Sequence, residues 1–68
     1  MYKNLKAELV RSNISNGDVA NTLGITPGTA SLKLNGKAKI SLNEAFMIQD
    51  LIYVKSKTFI PIEDLFRS

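Results

Sequence analysis

The segment at residues 16–36 constrains the fold of this chain more than any other, because its caps and breakers divide it into two short helices. Ser15 and Asp18 have the spacing of a capping box, which predicts that a helix begins directly after Ser15. Gly24 follows the last apolar residue of that helix, where a left-handed backbone conformation commonly ends a helix. The pattern predicts a helix over about 16–23.

The second half of this segment predicts another helix directly after a tight turn. Ile25 is an apolar turn residue that we expect to insert into the core. Thr26 is a suitable N-cap, and Pro27 fits the first helical position, where its missing N–H has no consequence. Gly36 is expected to be the left-handed residue beyond the C-terminus of a helix over about 27–34.

Both short helices have one apolar face that we expect to be buried. The first helix presents Val19, Ala20 and Leu23 on one side, and the second presents Ala30 and Leu34. Two amphipathic helices joined by a tight turn form a helix-turn-helix, which places its second helix in the major groove of DNA. The spacing therefore predicts a DNA-binding unit.

The rest of the chain also predicts helices. A first helix is expected over about 2–12 and a last, short one over about 62–66. Ser41 with Glu44 forms a second capping box, which begins a fourth helix that ends near residue 53 or 54. Since 68 residues leave no room for a second core, we expect one domain of the all-α class, a compact bundle of about five short helices.

The fourth helix is apolar on more than one side. We expect its inward stripe to consist of Leu42, Ala45, Ile48 and Ile52. Further apolar residues lie outside that stripe: Phe46, Met47, Leu51, Tyr53 and Val54. Residues 54–68 then either cover the second side within one chain or contribute to a dimer interface. As a third alternative, residues 54–60 form an edge strand that pairs across a dimer.

The composition argues against an enzyme. The chain has no cysteine and no histidine, so a thiol nucleophile, a zinc site and the commonest general base are excluded. Its carboxylates are explained by capping or solvation, and its glycines do not form a phosphate-binding loop. We expect no catalysis, cofactor, metal or small-molecule ligand. No apolar run is long enough for a membrane span or a signal peptide, so we expect a cytoplasmic protein.

Positive charge is concentrated in the middle of the chain. The net charge is +3 and the pI is about 9.5. Residues 19–43 contain Lys33, Lys37 and Lys39 and no acidic residue. A polyanion is expected to be attracted to this part of the molecule.

The run VANTLGIT, with Ala20, Gly24 and Ile25, resembles the helix-turn-helix of phage Cro and repressor proteins, the XRE family. The following LKLNGKAKISLNEA resembles small phage-type members, and the likeness covers about residues 3–52. It implies a lambda repressor-like DNA-binding domain that regulates transcription, most simply as a repressor from a phage or mobile element. It also implies double-stranded DNA as the partner, in the nucleoid, and a homodimer on an inverted-repeat operator.

The resemblance also assigns contacts with DNA. The positions that face bases are Pro27, Gly28, Ser31 and Leu32, with Thr29 at the flank. The positions that contact phosphates are Thr26, Asn35 and Lys37, and Asn16 contacts a phosphate or a base edge. The residues that add sequence-independent attraction are Lys33 and Lys39.

This chain departs from the family pattern at the base-facing positions, where glutamine, arginine or asparagine is common. Pro27 and Gly28 have no side chain that hydrogen-bonds a base, Ser31 is a short reader, and Leu32 contacts only a thymine methyl. We therefore expect little direct readout and more dependence on shape and phosphate contacts. The alternative is a protein-interaction module or an antitoxin-like partner on the same scaffold.

Overall fold

The computed structural model describes residues 2–67 and confirms an all-α bundle of five helices. The helices are α1 (Lys3–Arg11), α2 (Asn16–Leu23), α3 (Pro27–Leu34), α4 (Leu42–Ser56) and α5 (Ile62–Leu65). The described residues contain no strand, and no helix among them is long and apolar enough to cross a membrane.

The two predicted capping boxes are confirmed. The Ser15 hydroxyl accepts the Asp18 N–H at 3.1 Å, and the Asp18 carboxylate accepts the Ser15 N–H at 3.0 Å. Ser41 and Glu44 make the same reciprocal pair, at 3.2 and 3.0 Å. Each box satisfies two N–H groups that the start of a helix leaves without a partner, so α2 and α4 begin where their sequences specify.

The turn between α2 and α3 has the predicted geometry. Gly24 has a φ of +71°, which glycine adopts without the steric cost that a Cβ brings. The Ile25 N–H donates to the Ala20 carbonyl at 3.0 Å, and the Ile25 side chain packs against the core. These contacts fix how α3 leaves α2.

The core is built from residues of all five helices and from Ile14, which lies between α1 and α2. Its members are Leu5, Leu9, Ile14, Val19, Ala20, Ala30, Leu34, Ile48, Ile52 and Leu65. α2 lies against both α3 and α4. Ala20 and Ala30 are buried, and their small side chains suit a close crossing of the two helices of the motif. The position of α3 is thus fixed by its packing against α2 and the core.

The predicted inward stripe of α4 is correct for three of its residues and wrong for Leu42. Ala45, Ile48 and Ile52 are buried, whereas Leu42 is 66% exposed. Leu42 borders an open hollow between the start of α4 and α5. Because α5 has only four residues, it does not cover this first turn of α4.

The strand alternative for residues 54–60 is wrong, because α4 continues to Ser56 and residues 57–61 form an irregular connector to α5. α5 packs against α1 and α4, with Leu65 fully buried. The Tyr2 and Phe66 rings meet edge to face, with their centroids 5.4 Å apart. α5 covers only one side of α4, so the outer side of α4 stays exposed.

Candidate nucleic-acid interface

The outward side of α3 is small, open and almost free of charge. Ala30 and Leu34 face the core, while Pro27, Gly28 and Leu32 are exposed. Leu32 is 49% exposed, although it is a leucine in the middle of a helix. These three exposed residues, together with the half-buried Ser31 beside them, form what we call the α3 outer surface.

The first turn of α3 has one amide that is suited to an external acceptor. The Thr26 hydroxyl accepts the Thr29 N–H at 3.3 Å and donates to the Thr29 hydroxyl at 3.0 Å, so both threonines take part in capping. Pro27 has no N–H. The Gly28 N–H lies in the turn where helix geometry supplies no carbonyl partner. This N–H lies at the positive, N-terminal end of the α3 dipole, which attracts acceptors with a negative charge.

The backbone at Gly28 is open to close approach. A Cβ built on Gly28 would meet nothing within 4 Å, so the protein itself does not require glycine for space. The residue also has no positive φ that would require glycine. An absent side chain at this position lets another molecule come close to the helix backbone.

Lys6 of α1 lies beside the end of α3, a placement that the sequence did not reveal. Its Nζ donates to Asn35 Oδ1 at 2.6 Å, and Asn35 Nδ2 donates to the Ser31 hydroxyl at 3.4 Å. This chain of hydrogen bonds links a cation to the α3 outer surface and orients Asn35. Lys6 is 29 residues from Asn35, so no local sequence pattern connects the two.

Lys6 also lies close to the start of α2. Lys6 and Asn16 line the same notch, which Val10 and Leu34 complete from α1 and α3. The notch brings a cation and the N-terminal end of α2 to the flank of the α3 outer surface. The Lys6 ammonium group and the N-terminal end of the α2 dipole both attract anions here, and the Asp18 carboxylate in the first turn of α2 opposes them.

Lys33 is engaged inside the protein. Its Nζ lies 3.0 Å from Glu44 Oε1 and donates to the Lys39 carbonyl at 2.9 Å, and its side chain is only 17% exposed. Lys33 therefore joins α3 to the loop before α4 and to the first turn of α4. Glu44 lies one residue beyond the segment 19–43, which contains three lysines and no acidic residue. Its negative charge compensates that of Lys33.

Lys37 and Lys39 are exposed, and the end of α3 fixes the backbone at Lys37. Gly36 has a φ of +77°, and the Lys37 N–H donates to the Leu32 carbonyl at 2.9 Å. The Gly36 N–H donates to the Lys33 carbonyl at 3.1 Å, which completes a Schellman motif. Lys37 thus has a defined place beside the last turn of α3.

Two carboxylates near the interface stay ionised at neutral pH. The Ser41 N–H and then the Lys33 ammonium lower the pKa of Glu44, and the Ser15 N–H and hydroxyl lower the pKa of Asp18. Glu44 is compensated by Lys33. Asp18 leaves a negative charge in the first turn of α2, which weakens the attraction of that helix end for a phosphate.

The Lys33–Glu44 pair predicts a stability that depends on pH. Because folding lowers the pKa of Glu44, the stabilisation is complete above its ordinary value of 4.5 and is lost as the pH falls through the folded value. We expect Glu44→Gln to lower the free energy of unfolding by up to about 1 kcal/mol at pH 7. Urea unfolding of both proteins at pH 7 and pH 3 checks this: the difference should shrink at pH 3, and an equal or larger difference would contradict it.

The residues assigned by the resemblance differ in how exposed they are. Thr26, Lys37 and Lys39 are exposed around the α3 outer surface, while Thr29 and Lys33 are half-buried. Comparison with protein-family models, curated proteins and solved structures found no match to this chain. The geometry of the interface therefore carries the functional argument.

Proposed function

We propose that this protein binds double-stranded DNA through the α3 outer surface and regulates transcription, most simply as a repressor. In this proposal it is a relative of the phage-type regulators of the XRE family and acts as a homodimer on an inverted repeat. The observation that carries the proposal is the exposed α3 outer surface, on a helix that packs against the core and ends beside three lysines from two other parts of the chain: Lys6, Lys37 and Lys39.

The dimensions and chemistry of α3 suit the major groove. A helix with its side chains is roughly 10–12 Å across, and the groove is about 12 Å wide. With glycine at position 28 and serine at 31, the side chains on the α3 outer surface are shorter there than those of a typical helix. The helix backbone therefore comes closer to the DNA than a helix with long side chains does.

The base contacts in this proposal are few. Leu32 contacts the methyl group of a thymine, and the Ser31 hydroxyl donates to or accepts from a base edge. Ser31 is held by Asn35, so its hydroxyl has a preferred direction. Specificity then comes mainly from the shape and deformability of the operator.

Phosphate contacts supply most of the affinity. Lys37 and Lys39 follow α3, Lys6 lies beside its C-cap residue Asn35, and Asn16 lines a notch with Lys6. The Gly28 amide adds a neutral donor at the start of α3. Because each lysine that contacts a phosphate displaces a bound counterion, the affinity falls as salt concentration rises.

Lys37 and Lys33 are predicted to have separable roles. We expect Lys37→Ala to weaken binding to every duplex by about threefold to tenfold and to reduce the slope of log affinity against log salt by about 1, with stability unchanged. We expect Lys33→Ala to lower the free energy of unfolding, because it removes the ion pair with Glu44 and the hydrogen bond to the Lys39 carbonyl. Fluorescence titrations and urea unfolding of both variants check this, and a destabilised Lys37→Ala protein with an unchanged salt slope would contradict it.

The second candidate is a protein-interaction module or antitoxin-like partner, which the exposed Leu32 favours. An apolar side chain at the centre of a presented helix suits a protein groove as well as a thymine methyl. Leu32→Ala separates the two functions. A changed preference among DNA sequences supports DNA binding, whereas unchanged DNA binding with loss of a protein partner supports the module.

Selection of bound sequences from a random duplex pool tests the proposal and its symmetry together. We expect enrichment of an inverted repeat whose half-sites lie about one helical turn, or a multiple of it, apart. Enrichment of no sequence would contradict sequence-specific regulation. A single half-site without symmetry would contradict the homodimer.

A further inference from the structure

The outer face of α4 is apolar and is not covered by any other part of residues 2–67. Its large hydrophobic residues are between 41% and 54% exposed: Phe46, Met47, Tyr53 and Val54. They recur at helical spacing on the side opposite the buried Ala45, Ile48 and Ile52. With Asp50, which lies between them, these four residues form what we call the α4 outer face.

Two exposed residues of opposite charge lie seven positions apart, one on the α4 outer face and one at the C-cap of α4. Asp50 lies in the middle of the face, and Lys57 follows it by seven residues, where it caps the end of α4. Neither residue belongs to an ion pair among residues 2–67. A polyanion does not suit a face with a carboxylate at its centre.

We propose that the α4 outer face binds a second copy of this chain, with the two α4 helices antiparallel. An interface with two-fold symmetry must be complementary to itself, and an antiparallel pair meets this requirement. When the axis passes near Tyr53, Asp50 of each copy comes within reach of Lys57 of the other. A parallel pair instead places Asp50 against Asp50.

The shape of the face agrees with this arrangement. A hollow lined by Thr22, Asn43, Phe46, Met47 and Asp50 opens beside the carboxylate. In the antiparallel pair it accepts the lysine side chain of the other copy, whose methylene groups contact Phe46 and Met47 while its ammonium reaches Asp50. Tyr53 and Val54 of the two copies then meet around the axis.

This inference deepens the homodimer of the proposed function by naming its surface, and its test contains no DNA. Sedimentation equilibrium of the full chain from about 1 μM to about 1 mM covers the range of weak to moderate association. We expect reversible dimers in this range. A chain that stays monomeric throughout overturns the proposal without affecting DNA binding by a monomer.

Charge exchange identifies the register. Asp50→Lys alone and Lys57→Asp alone each put like charges opposite one another and should raise the dimer dissociation constant at least about tenfold. The double exchange restores opposite charges and should return the constant to within about threefold of the unsubstituted protein. Single exchanges without effect, or a double exchange that restores nothing, overturn the antiparallel arrangement.

Paired substitutions of exposed valines separate loss of the interface from loss of the fold. Val54→Glu places a carboxylate beside the axis and should abolish the dimer, while Val10→Glu makes the same change on α1 and should leave it intact. Circular dichroism should show the same helix content for both. If Val10→Glu weakens the dimer as much as Val54→Glu does, the interface is elsewhere and the proposal is overturned.

Discussion

Replacing Gly28 with glutamate is expected to lower the affinity for DNA at least about a hundredfold without damage to the fold. The substitution places a carboxylate at the point where α3 enters the groove, so it both blocks close approach and repels phosphates. A Cβ at this position meets nothing within 4 Å. Since glycine is a poor helix residue and an acid is favourable in a first turn, Gly28→Glu should be as stable as the original or more stable.

This combination distinguishes loss of a contact from loss of structure. Electrophoretic mobility shift or fluorescence titration gives the affinity, and thermal unfolding gives the stability. Thr58→Glu, in the exposed connector between α4 and α5, makes the same addition of one negative charge and should weaken binding only slightly. If Gly28→Glu binds DNA as well as Thr58→Glu does, the α3 outer surface is not the DNA-binding surface.

Leu65, near the C-terminus, is expected to contribute more to the stability of the fold than an exposed leucine does. Leu65→Ala is expected to lower the free energy of unfolding by about 2–4 kcal/mol, because Leu65 is fully buried between α5, α1 and α4. α5 has only four residues and cannot persist without that packing. In a domain of this size, such a loss leaves a substantial unfolded fraction at 37 °C.

Leu42 supplies the matched control, since it is a leucine of the same bundle that remains mostly exposed. Leu42→Ala should change the free energy of unfolding by less than about 0.5 kcal/mol. Urea denaturation of both variants makes the comparison. Equal effects would contradict the packing described here for α5.

The features that the sequence predicted well are those fixed by neighbours in the chain. The Ser15–Asp18 and Ser41–Glu44 capping boxes involve residues three apart, and Gly24 meets a requirement of its own backbone. Each of these interactions lies within one turn of helix, so the local sequence is enough to predict where the helix begins or ends. The starts of α2, α3 and α4 follow from such signals.

The features that the sequence missed depend on how helices meet. The hydrogen bond from Lys6 to Asn35 joins α1 to the end of α3, and only the packing of the bundle brings the two together. Periodicity placed Leu42 inward because it cannot show that α5 is too short to cover it. The sequence of residues 19–43 indicated a net charge of +3 there, but the structure pairs Lys33 with Glu44, which lies just outside those residues.

A titration of the unsubstituted protein with duplex DNA at two salt concentrations tests whether the α3 outer surface binds DNA. We expect measurable binding at low salt and a loss of affinity at higher salt that corresponds to a few phosphate contacts, from groups that include Lys37, Lys39 and Lys6. Binding that does not respond to salt, or no binding at low salt, would contradict DNA recognition by this surface.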